Sequence, residues 1–130
     1  YIDLEPFGIT GKGRTALIFS SDACKTMWIG LMPDKHDTSS MYDISLGRGG
    51  NKFLAIEKDG KEKKRVKSSI LDCTPKELWI TWKDGRIAVG EGTDIAKNVV
   101  MEWTDDDPLD VNDIGLSSWD KEWTFQNFGL

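Results

Sequence analysis

His36 is the sole imidazole in the chain, so any histidine-assisted nucleophilic catalysis would have to run through it. It sits in Pro33-Asp34-Lys35-His36-Asp37, a polar stretch with turn chemistry, and reads as a solvated loop residue. There is no G-x-S-x-G elbow; Gly115-Leu116-Ser117-Ser118-Trp119 does not qualify. Glycoside hydrolysis would need two carboxylates facing each other across a cleft, which spacing along a chain does not define. One histidine and two cysteines do not complete a four-ligand zinc site, so structural zinc is not expected.

The acidic run Asp105-Asp106-Asp107, with Asp110 and Asp113, invites comparison with a calcium loop. Aligned from Asp105, the EF-hand glycine position falls on Asp110 and the final glutamate position on Leu116, so the pattern fails. Calcium in some other geometry stays open but is not expected, and no metal or other cofactor is assigned. The segments Gly8-Ile9-Thr10-Gly11-Lys12-Gly13 and Gly47-Arg48-Gly49-Gly50-Asn51 match neither a phosphate loop nor a dinucleotide fingerprint, and neither leads into a helix. The glycines are read as turns.

What remains is binding chemistry. One loop group comprises Asp34, His36, Asp37, Arg48 and Asn51, whose planar and charged groups could grip hydroxyls; ordinary turn chemistry is the alternative. A second comprises Trp119, Asp120 and Trp123, where a ring could stack on a sugar; core packing is the alternative. The first group is preferred as the ligand site.

The elements that must position these residues are strands. Period-two segments bounded by Gly, Asp, Asn and Pro recur through the chain, and no dozen residues hold apolar positions at helical spacing. In Glu77 to Gly90 (ELWITWKDGRIAVG), Asp84-Gly85 is the connection expected of a type I′ turn. Counting outward pairs Ile80 with Val89 and Trp79 with Gly90, and puts Leu78, Ile80, Trp82, Ile87 and Val89 on one core face. Trp79 is expected to cover Gly90 in a structural role. A second hairpin turns at Asp59-Gly60 and joins Phe53 to Lys58 with Lys61 to Lys67 (KEKKRVK). That Lys-rich strand reads as an edge protected against aggregation, with heparin-like ligands a minor alternative. Further strands are expected at Phe7 to Thr10, Thr15 to Ser20, Lys25 to Gly30, Met41 to Gly47, Asn98 to Thr104, Asp113 to Ser117 and Trp123 to Phe128. The fold class is therefore all-β, a two-sheet antiparallel β-sandwich of jelly-roll type, with residues 1–130 as one domain.

A formal net charge of −5 argues against nucleic acid as a partner. No apolar run approaches the length that spans a bilayer, so membrane insertion is not expected. Cys24 and Cys73 are the only cysteines, compatible with one disulfide in a secreted protein or with two buried thiols.

A set of segments resembles the farnesoic acid O-methyltransferase-like (FAMeT) domain family of invertebrate proteins. These are Tyr42-Asp43-Ile44-Ser45-Leu46-Gly47 with Asn51, then Leu78 to Gly90, Trp103-Thr104-Asp105 with Pro108, and Ile114-Gly115-Leu116-Ser117-Ser118-Trp119 with Trp123. The chain departs from the family pattern after Asn51, where a serine and an arginine usually follow and Ala55 and Glu57-Lys58 stand instead. The resemblance implies an extracellular sandwich that binds rather than catalyses. With six Trp and polar loops, the chain is read as a secreted, non-enzymatic, lectin-like module whose partners are glycans or glycoproteins. A structural or adhesive module binding protein through a sheet edge is the alternative, and a homo-oligomer is compatible with either. A methyltransferase, the activity in the family's name, is not expected because the cofactor-binding pattern is missing.

Overall fold

A computed structural model describes residues 2–3, 14–34 and 39–118. Ten strands are described: β1 (Ile2–Asp3), β2 (Ala16–Ser21), β3 (Met27–Met32), β4 (Tyr42–Gly47), β5 (Phe53–Lys58), β6 (Lys61–Lys67), β7 (Lys76–Thr81), β8 (Arg86–Glu91), β9 (Val99–Thr104) and β10 (Asp113–Ser118). They form two antiparallel sheets, one of six strands ordered β1-β10-β3-β4-β5-β6 and one of four ordered β2-β7-β8-β9. This is the expected sandwich. The chain crosses from the six-stranded sheet to β2, returns for the meander β3 to β6, crosses again for β7 to β9 and comes back as β10.

Period-two alternation builds the core. Met27, Ile29 and Leu31 of β3, Tyr42, Ile44 and Leu46 of β4, and Leu54 and Ile56 of β5 face inward from the large sheet. Leu17 and Phe19 of β2, Leu78 and Ile80 of β7, and Ile87 and Val89 of β8 meet them from the small sheet. Fully burying each such aliphatic side chain contributes roughly 1.5–3 kcal/mol of transfer free energy. A one-residue slip in any strand would turn its apolar set to solvent, which fixes the register.

Both expected hairpins form. Ile80 pairs with Val89 and Trp79 with Gly90, and Asp84 and Gly85 both take positive φ, 54° and 78°. β5 and β6 keep the expected bounds, and β6 lies at the sheet edge. β3 starts at Met27, two residues after the expected Lys25, because Cys24 is committed to a disulfide and the Thr26 hydroxyl donates to the Gly47 carbonyl at 3.0 Å. β1 was not expected, since two residues carry no periodicity. The strands expected at Phe7 to Thr10 and Trp123 to Phe128 lie outside the described residues.

Cys24 and Cys73 are bonded, with Cα atoms 4.4 Å apart. Cys24 lies in the β2–β3 crossover and Cys73 in the β6–β7 crossover, so the bond ties together two places where the chain changes sheets. At the opposite end, the buried Tyr42 hydroxyl donates to Asp105 Oδ2 at 2.7 Å and accepts from the Leu109 amide at 2.9 Å. Lys58 Nζ lies 2.7 Å from the same Asp105 oxygen. Part of the acidic run is thereby a structural anchor. Among the described residues no cluster of three His, Cys, Asp or Glu side chains could hold a metal ion.

Candidate functional site

The outer face of the large sheet is built by the residues that alternate with the core: Trp28 on β3, Asp43 and Ser45 on β4, Phe53, Ala55 and Glu57 on β5, and Arg65 and Lys67 on β6. Ser117, Trp28, Ser45, Ala55 and Arg65 form one cross-strand row.

Arg48 reaches this face from the turn that joins β4 to β5. In this turn, Arg48–Asn51, the preceding Gly47 and the internal Gly49 and Gly50 all have positive φ, the left-handed conformation that glycine adopts without steric cost. Asn51, also at positive φ, locks it: its side-chain oxygen accepts from the Leu71 amide at 3.0 Å and its side-chain nitrogen donates to the Leu71 carbonyl.

From that anchor the Arg48 guanidinium lies 5.5 Å from the Phe53 ring centroid and its Nη1 is 3.2 Å from Glu57 Oε2. Phe53 and Glu57 flank Ala55 on one face, so a side chain touching both must pass over Ala55. This accounts for the complete burial of Ala55 in an outward position. Arg65 stacks on Phe53 at 3.9 Å and is held by Glu62 at 2.8 Å. Two guanidinium groups thus approach one half-buried ring, each paired with a carboxylate. Beside them, the fully buried Ser45 hydroxyl has no hydrogen-bond partner among the described residues. The face combines an aromatic surface, fork-shaped donors and acceptor carboxylates, the groups that hold a polyol.

The preferred loop group does not converge on this face. Met27 pairs with Leu46 and Leu31 with Tyr42, so Asp34, which follows β3, lies at one end of the β3–β4 ladder and Arg48 and Asn51 at the other. Six-residue strands put those ends about 17 Å apart. Of the preferred residues, Arg48 reaches the sheet face, the Asn51 side chain is engaged by Leu71, and Asp34 is exposed at the far end. His36, Asp37, Trp119, Asp120 and Trp123 lie outside the described residues.

Sequence reasoning missed Phe53, Glu57, Arg65 and Ser45. Period two from Phe53 would have grouped the β5 residues. Arg65 was hidden, because counting back from Asp59-Gly60 sets Lys64 opposite Ala55. A bulge at Lys63 shifts the register by one and brings Arg65 there instead.

Comparison with known proteins fixes the family. A family model described as farnesoic acid O-methyl transferase matches residues 1–128. The chain belongs to this family. It is 36% identical over 100 residues to a BTB/POZ domain-containing protein of Arabidopsis thaliana, covering 74% of this chain and 12% of that protein, so it spans about an eighth of that relative's length. Among solved structures it resembles a carbohydrate binding module, CBM66, from Bacillus subtilis, with TM-score 0.60 at 15% identity over 88% of this chain and 73% of the other. It also resembles a double mutant of congerin II, with TM-score 0.55 at 12% identity over 88% and 89% of the two chains. A Xenopus laevis galectin-Ib gives TM-score 0.50 at 9% identity over 85% and 89%. At these identities the likeness establishes a lectin-like sandwich fold.

Proposed function

We propose that this chain is a non-catalytic carbohydrate-binding module and that its sugar site is the outer face of the large sheet around Phe53, Arg48, Arg65 and Glu57. The observation that carries the reading is the pair of guanidinium groups, at 5.5 and 3.9 Å from the centroid of one half-buried ring. Arginine forks can donate to vicinal hydroxyls or to a carboxylate while the uncovered part of the ring offers apolar contact to a saccharide. Solved neighbours named as a carbohydrate binding module and a galectin support the carbohydrate-binding reading of this fold. The Cys24–Cys73 bond supports a secreted, extracellular setting, since disulfides persist in oxidising compartments.

A glycan array probed at high protein concentration, followed by calorimetry on the hits, tests the reading. Binding that is lost in Arg48→Ala and Phe53→Ala is expected, and silence across neutral and acidic glycans would sink it. Against the methyltransferase named by the family stands the described architecture of two antiparallel sheets, which offers no alternating strand and helix crevice for a nucleotide-like cofactor. Measurable S-adenosylmethionine binding by the intact chain would reverse that conclusion.

A further inference from the structure

The seven residues of β6 carry five cations and one carboxylate, net +4, in a chain whose formal charge is −5, so the remainder carries −9. Arg65 is paired with Glu62. No carboxylate among the described residues pairs with Lys61, Lys63, Lys64 or Lys67, and all four are exposed. The concentration of unbalanced positive charge on one strand of an acidic protein requires an explanation.

Edge protection accounts for part of it. Among the described strands β6 pairs with β5 alone, and it has a bulge at Lys63; both charge and bulging discourage edge-to-edge pairing. Lysine is a favoured edge charge, so its presence at the edge alone is accounted for. The cations also continue inward from the edge. Lys67 pairs with Phe53 and Arg65 with Ala55 on the outer face, the Arg65 guanidinium lies 3.9 Å from the Phe53 centroid, and Arg48 approaches the ring as well. The positive strip and the ring are therefore one surface, with outward residues repeating about every 6.8 Å along about 20 Å of strand.

We infer that the saccharide bound by this face is anionic, a sulfated or uronic-acid-bearing polysaccharide laid along β6. Its acidic groups meet Lys63, Arg65 and Lys67, and one sugar ring lies beside Phe53. This rests on the carbohydrate-binding reading above. The negative remainder of the protein confines a polyanion to this strip, because a chain leaving it meets repulsion.

The test measures binding of the intact protein to heparin, to polygalacturonate, to neutral dextran and to duplex DNA, each at about 50 and 200 mM salt. The expected result is binding of heparin or polygalacturonate, weakened by salt, with little binding of dextran or DNA. Heparin alone would identify sulfate as the recognised group, and comparable affinity for polygalacturonate would identify the carboxylate. In the double variant Lys63→Gln/Lys67→Gln, whose side chains are exposed, Kd should rise about tenfold and the salt slope should fall by roughly one per cation removed. Neutral glycans bound as tightly as acidic ones would overturn this inference and leave the carbohydrate reading standing. No binding of any glycan here or on an array would remove both. DNA bound as tightly as heparin, or a double variant that binds like the parent, would also overturn it.

Discussion

The indole of Trp79 lies so close over Gly90 that a Cβ built on that glycine would stand 2.2 Å from two ring carbons. The ring is fully buried, and its Nε1 donates to the Lys97 carbonyl at 3.0 Å, so it cannot swing away without leaving that donor unpaired. Gly90→Ala should therefore destabilise the fold by about 1–3 kcal/mol through overpacking. Trp79→Ala should cost roughly 3–5 kcal/mol. Urea unfolding of both variants decides it, and a Gly90→Ala midpoint equal to the parent's would show that the indole has room to move.

The Tyr42–Asp105–Lys58 cluster makes stability depend on pH at both ends. Burial pushes the Asp105 carboxyl up, but hydrogen bonds from Lys58, the Tyr42 hydroxyl and the Asp107 amide outweigh it and hold the group below its ordinary value. Lys58 is raised, chiefly by its hydrogen bond to Asp105. Tyr42 is raised by burial and by the same carboxylate. The Asp105 contribution is present above the unfolded-state value near 3.9 and is lost as pH falls through the depressed folded value. The Lys58 and Tyr42 contributions are present below their unfolded values, near 10, and are lost as pH rises through the raised ones. Tyr42→Phe should cost about 2 kcal/mol at neutral pH, and Asp105→Asn should flatten the acid limb of stability against pH. An Asp105→Asn profile parallel to the parent's below pH 4 would show that the cluster does not carry the acid dependence.

The sequence made the sandwich, both hairpins and the Trp79–Gly90 contact legible because each is local. Period-two alternation, a two-residue turn and the count outward from it require nothing distant in the chain. The candidate site was less legible because it is assembled across strands. Arg48 could be named from its residue type, but its partners depend on the β4–β5 turn and on a bulge that no residue in KEKKRVK announces. Asn51 illustrates the converse difficulty. An amide in a glycine-rich turn has the chemistry of a ligand-binding group, and only the fold shows Leu71 engaging both ends of it.

Reducing the Cys24–Cys73 bond should loosen the protein by freeing two sheet crossovers at once. With a sequence separation of 49 between the cysteines, the chain-entropy model gives about 4 kcal/mol. A Cys24→Ser/Cys73→Ser double variant should thus show a lower urea midpoint, and the parent should match it once reductant is added. If reductant leaves the parent's midpoint unchanged while its thiols become titratable, the crossovers are held by packing alone.

Arg48 and Asn51 stand three residues apart, and the structure separates their roles. Asn51→Ala would leave the Leu71 amide and carbonyl unpaired at a position only 3% exposed, and would force alanine into positive φ. The expected loss is about 2–3 kcal/mol, and Asn51→Asp, which keeps the acceptor and loses the donor, should fall between that variant and the parent. Arg48 has a side chain 35% exposed and one surface ion pair, so Arg48→Ala should change stability by less than about 1 kcal/mol. Its glycan affinity should nevertheless disappear, because Arg48 is one of the two guanidinium groups on Phe53. Melting curves and calorimetry on the same three preparations separate the effects. Weakened binding in Asn51→Ala that is restored by lowering the temperature would mark it as a positioning residue acting through the turn. Full glycan affinity in a folded Arg48→Ala would move the sugar site off this face.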